Sequence, residues 1–140
     1  MKRRLRTLAL ALAAGVLAST ALVGCSGKDA PSTPAVCSSV DELKSSVADL
    51  RNVDLAQGAV ATLQDKLTKV QSDLSKVQSD AKSEYAAEVD AVDEAASSVS
   101  TSLKAATDAP SAATFAAVGA AVQALGTSLS ALQDALKNTC

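Results

Sequence analysis

Apolar residues recur at alternating steps of three and four over most of this sequence, and that spacing fixes the fold class before anything else is considered. Val60, Leu63, Leu67, Val70, Leu74, Val77 and Ala81 form one such run, and the word KVQSD stands at Lys69 and again at Lys76, seven residues later. Steps of three and four keep every member on one face of a helix, whereas a half-buried strand needs alternation by two. No glycine or proline occurs from Ala59 to Ala109. The pattern therefore predicts one helix over 55–107, its stripe continuing through Tyr85, Val89, Val92, Ala96, Val99 and Leu103. Around Tyr85 the steps are four and four, a stutter that locally unwinds a supercoil. A stripe of this kind suits a two-stranded coiled coil, and it also suits an ordinary amphipathic helix in a small bundle.

Two shorter helices flank the long one. Ser39 lies three positions before Glu42, the spacing of a capping box, and Val40, Leu43, Val47 and Leu50 follow on one face. That predicts a helix over 40–51. Asp54 with Gln57 three later reads as the start of the next. Ala109 precedes Pro110, which pushes it out of helical conformation and ends the long helix. A last helix over 111–138 carries Phe115, Val118, Val122, Leu125, Leu129, Leu132 and Leu136. Gly119 and Gly126 sit beside this seam and read as close backbone approach to a neighbouring helix rather than as a ligand site.

Residues 1–24 read as an export signal. Lys2, Arg3, Arg4 and Arg6 precede the apolar stretch TLALALAAGVLASTALV, and no acid occurs before Asp29. The stretch is short for a bilayer span, which takes about 20 apolar residues. It ends in Leu22-Val23-Gly24-Cys25, which resembles the lipobox of bacterial lipoproteins: a large apolar residue three positions before the cysteine and a small one directly before it. The resemblance implies that the Cys25 thiol carries a diacylglycerol, that the chain is cut after Gly24, and that the freed amine is open to acylation. An uncleaved anchor, or secretion with a free Cys25, is the alternative. Two or three acyl chains hold a protein stably to a bilayer at ~0.8 kcal/mol per buried methylene, where one chain does so only marginally. The expected location is the extracytoplasmic face of the cell membrane. Residues 25–36, with Gly27, Pro31 and Pro34, read as a flexible tether to a helical domain over 37–140.

With Cys25 committed to lipid, Cys37 and Cys140 remain. Short connections make successive helices antiparallel. The first helix then runs beside the beginning of the long one, with Cys37 near Val70, and the last runs back from its far end, with Cys140 near Val77 to Ala81. Both cysteines reach a similar level, and an exported protein oxidises such a pair. The expected architecture is all-α: an elongated antiparallel helical hairpin or coiled coil, one long helix faced by two shorter helices stapled by a Cys37–Cys140 disulfide. Intermolecular bridging through Cys140 is the alternative. Aromatic side chains supply much of a thick core, and this chain has one Tyr, one Phe and no Trp. Thin helix–helix interfaces suit such a palette.

The same layout, opening on CSSVDELKSSV with Ala/Val/Asp-rich helices and a cysteine at position 140, resembles small alanine-rich lipoproteins and secreted proteins of high-GC Gram-positive bacteria. That resemblance implies no particular activity.

Function is bounded mainly by exclusion. There is no histidine, so neither a Cys-His nor a Ser-His pair and no Glu-x-x-His metal site can form. Asp80, Glu84 and Glu88 make a four-step acidic ladder on a straight helix edge, followed by Asp90, Asp93 and Glu94. Such an edge does not converge on a calcium ion and reads as a solvated face. No catalytic activity, cofactor or metal is expected. Beyond residue 24 nine lysines and arginines face fifteen acids, a net charge of −6, which disfavours nucleic acid. No charged residue occurs between Ala109 and Gln133. Ala117 and Ala124, outside the apolar stripe of that helix, mark a candidate partner surface for a second copy or another envelope protein. An Ala-rich helix also looks this way with no partner at all. A membrane span there is disfavoured, because Ser, Thr, Gln and Gly interrupt the segment. The expectation is a lipid-anchored interaction or spacer module of the cell envelope. The alternatives are a lipid- or amphiphile-binding helical lipoprotein and a small inhibitor of an envelope enzyme or of phage entry.

Overall fold

A computed structural model of the chain describes residues 34–56 and 58–140. The expected export signal, the lipobox-like stretch ending at Cys25, nearly all of the expected tether and Gln57 lie outside the described residues. All regular structure among the described residues is helical: α1 (Ala35–Arg51), α2 (Val60–Asp80), α3 (Ala86–Asp108) and α4 (Ala112–Leu136).

The first helix begins earlier than its capping signal. Pro34 takes an extended conformation before it, and Cys37 N–H donates to the Pro34 carbonyl at 2.9 Å. Val36 and Cys37 are buried on the same face as Val40 and Leu43. Burying that pair draws the helix start upstream of Ser39 into the expected tether. Ser39 and Glu42 are therefore interior, and both reach toward α2. At the other end, Asp54 opens a turn rather than a helix. Its Oδ1 accepts from Ala56 N–H at 3.2 Å, and Gly58 adopts φ 102°, a left-handed conformation that strains other residues. The second helix accordingly starts at Val60.

The helix expected over 55–107 is two helices. Ala81 and Lys82 are extended, with ψ of 137° and 161°, and a 3₁₀ turn over Ser83–Tyr85 leads into α3. No glycine or proline is involved. The cause lies in the stripe itself. Val77, Ala81, Tyr85 and Val89 succeed one another by fours, and each such step advances the apolar face by about 40°. Three in a row would carry the stripe roughly a third of the way round a straight helix, so both halves could not face one partner. Breaking the helix resets the face.

The halves then fold against each other. Leu67 of α2 and Leu103 of α3 line one groove, so the two helices run antiparallel. Packing closes a ring, α1 on α2, α2 on α3, α3 on α4 and α4 on α1. The result is an up-down-up-down four-helix bundle. Every stripe position from Leu63 to Val77, Val89 to Leu103 and Phe115 to Leu136 is buried. Buried Ala95, Ala96 and Ala106 give α3 a face wider than a coiled-coil seam. Ser111 caps α4: Thr114 N–H donates to Ser111 Oγ at 3.2 Å and Ser111 N–H to Thr114 Oγ1 at 3.0 Å.

Cys37 and Cys140 form the expected disulfide, with Cα atoms 5.7 Å apart. Its level differs from expectation. Ser39 donates to Asp80 and the Tyr85 hydroxyl bonds Thr139. The cysteines thus meet at the end of the bundle where α2 turns into α3, not beside Val70. The earlier start of α1 and the longer connection over 52–59 account for the shift.

Candidate functional site

The outer face of α4 is where the uncharged surface gathers. Its seam from Phe115 to Leu136 is spent on the core, while Ala113, Ala117, Ala120 and Ala124 are exposed and repeat by four, three and four. Ala117 and Ala124 thus lie outside the core stripe, as expected. The helix is long and apolar enough to cross a membrane by length and composition, with a mean hydropathy of 1.5 in its most apolar window. In this bundle, however, that helix packs its seam against α1 and α3.

Gly119 and Gly126 make room for side chains rather than for a neighbouring backbone. A Cβ on Gly119 would stand 3.2 Å from Leu55 Cδ1, and one on Gly126 would stand 3.4 Å from Arg51 Nη1. The expected backbone approach of a neighbouring helix is thus replaced by side chains, from Arg51 at the end of α1 and Leu55 in the loop after it. Leu50, Arg51, Val53, Leu55, Gly119, Val122 and Gln123 line a half-open cavity of 220 Å³ there.

The polar chemistry lies on the opposite side, between α1 and α2. Asp73 is fully buried. Ser46 donates to it, Lys69 Nζ lies 2.6 Å from Oδ2 and Lys76 Nζ 3.2 Å from Oδ1, while Lys76 also reaches Glu42 at 2.6 Å. Burial pushes the Asp73 carboxyl up, but hydrogen bonds from Lys69, Ser46 and Lys76 outweigh it and hold the group at about 2. Glu42, and then Asp73, raise the Lys76 ammonium above its usual range.

This cluster was missed in the sequence, although its signal is visible there. SSV recurs at 38–40 and 45–47, and KVQSD recurs with the same period of seven. Antiparallel packing sets Ser46 against Asp73 and Ser39 against Asp80. Asp80 therefore does not belong to a continuous acidic edge: Glu84 falls in the 3₁₀ turn and Glu88 in the first turn of α3. Among the described residues no three acids or cysteines are grouped to hold a metal ion, and every buried polar side-chain atom has a hydrogen-bond partner. What the arrangement offers is surface and groove.

No protein-family model, curated protein or solved structure matches this chain.

Proposed function

We propose that this protein is a lipid-anchored interaction module on the extracytoplasmic side of a cell membrane, without catalytic activity of its own. The observation that carries the reading is the exposed, uncharged outer face of α4 between Ala109 and Gln133, set on a bundle whose other helices are densely charged. The lipobox at Cys25 supplies the anchor, and a Cys37–Cys140 disulfide suits an oxidising compartment. A spacer role is less well supported. The longest helix has 25 residues, about 38 Å at ~1.5 Å per residue, half the reach of an uninterrupted 50-residue rod.

Two experiments test the halves of the proposal separately. Cys25→Ser should move the protein out of the membrane fraction, and persistence after salt and carbonate washing would refute the anchor. For the surface, Ala117→Glu should leave thermal unfolding unchanged within ~0.5 kcal/mol, since exposed helix positions tolerate charge. It should also abolish in-cell crosslinks, because a charge buried unpaired at a contact costs several kcal/mol. Crosslinks that survive Ala117→Glu and Ala124→Glu would end the partner-surface reading.

A further inference from the structure

The cavity between α1 and α4 is a second feature of the molecule, independent of the outer face of α4. The repeated words of α1, SSVDELK over 38–44 and SSVADLR over 45–51, each end in a cation. Their serines face α2, while Lys44 and Arg51 line cavities along the α1–α4 seam. Most cations of the bundle are matched: Lys66 with Asp49, Lys69 and Lys76 with Asp73, Lys104 with Asp108, Lys137 with Asp134. Arg51 takes part in no ion pair among the described residues. It faces the stretch of α4 that has no charge to offer it.

The surroundings of Arg51 differ from those of Lys44. The cavity beside Lys44 is also lined by Asp41, Asp134 and Lys137, so its charges cancel. Among the described residues Arg51 is the single charged one lining its own cavity, whose other walls are Leu50, Val53, Leu55, Gly119, Val122 and Gln123. Gly126 lets the arginine stem lie flat, with Cδ and Cζ each 3.7 Å from where a Cβ would stand. A largely apolar slot lined also by an arginine and a glutamine matches a carboxylate on a medium-length aliphatic chain. Guanidinium binds carboxylate through two parallel hydrogen bonds, and the apolar walls take the tail. At 220 Å³ the slot falls below the roughly 300–1,000 Å³ of pockets that hold drug-sized molecules, so a single alkyl chain suits it better than a diacyl lipid.

We infer that the Arg51–Gln123 cavity is a binding site for a medium-chain aliphatic monocarboxylate. The chain is otherwise acidic, with a net charge of −6 beyond residue 24, so an anion is drawn to few places on it. This is one of them, and here apolar walls lie beside the cation.

Sodium octanoate is the probe. The full chain carrying Cys25→Ser, with its disulfide intact, is titrated while amide chemical shifts are followed. Octanoate should give saturable shifts confined to residues 50–55 and 119–126. Acetate, which lacks the tail, and octyltrimethylammonium, which reverses the charge, should bind at least about tenfold more weakly. Arg51→Gln should weaken octanoate by about tenfold or more, the charge-assisted pair being lost. So should Gln123→Glu, which leaves Arg51 in place but supplies it with a carboxylate. Lys44→Gln should leave the affinity unchanged. Absence of saturable shifts overturns the proposal and leaves Arg51 as a charge closing the last turn of α1. Equal binding of octyltrimethylammonium, or equal loss in Lys44→Gln and Arg51→Gln, overturns it as well, by showing detergent-like adsorption or a diffuse field.

Discussion

Asp73 bears the largest electrostatic load on any single residue of the bundle. Its folded value of about 2 lies below the ordinary 3.8, so the carboxylate form is favoured by folding. A depressed carboxyl contributes stability that is fully present above its unfolded value and is lost as pH falls from about 4 through 2. The difference amounts to about 2 kcal/mol at neutral pH. Asp73→Ala should cost somewhat more, ~2–4 kcal/mol, because it also leaves a void at a buried position and reduces the Ser46 hydroxyl to its 3.2 Å bond with the Glu42 carbonyl. Urea denaturation of the wild type and of Asp73→Asn at pH 7 and pH 2.5 checks the sign. The gap between them should be wide at pH 7 and mostly closed at pH 2.5. A gap independent of pH would mean that shape, not charge, is what the site needs. In the sequence Asp73 was legible as part of a heptad repeat but not as a buried group. Acids almost never occupy cores unless paired, and the pairing serine lies on another helix, in a register that only the packed bundle defines.

At the scale of the helices, the apolar stripes and the stop before Pro110 could be read directly, because both follow from local geometry. The turn at 81–85 could not. It has no glycine or proline, and its one trace was the run of fours at Val77, Ala81, Tyr85 and Val89, which reads equally as a stutter in a continuous helix. What settles it is tertiary: doubling back gives every helix two packed neighbours instead of one. Lys82→Pro separates the two cases sharply. Lys82 has φ −75°, close to the proline value, its residue is exposed, and Ala81 before it is already extended. Proline at such a position should be neutral or stabilise by ~0.4–1 kcal/mol by restricting the unfolded chain. In an unbroken helix the same substitution would cost ~3 kcal/mol or more. Thermal melts of the purified variant decide it, and a large loss of stability would restore the continuous rod.

For the whole molecule, the pairing of Cys37 with Cys140 was legible even though the path of the chain between them was not. The reason is topological. A long hairpin faced by two short helices brings the cysteines together part-way along it, and a bundle with an even number of antiparallel passes brings them together at one end. Both layouts close the same bond. Only the bundle, though, makes that bond the closure of a ring, since α1 and α4 are sequence-distant neighbours with no connecting loop. Along their seam lie cavities at Val40 and Leu136 and at Leu50 and Val122, so this side of the ring depends on the staple. The bond spans 103 residues, and closing so long a loop restricts the unfolded chain by up to ~5 kcal/mol in the chain-entropy treatment. Cys37→Ser and Cys140→Ser should each lose roughly 2–5 kcal/mol, and the double variant should lose no more than either, since one bond is broken in all three. Hydrogen exchange should show where the loss falls. Reduction should deprotect α1 first, because it is held by α2 on one flank and by the stapled seam on the other, while α3 and α4 keep their mutual packing. Uniform loss of protection across all four helices would mean that the bundle opens as one unit. A non-reducing peptide map without a linked Cys37/Cys140 fragment would remove the ring altogether.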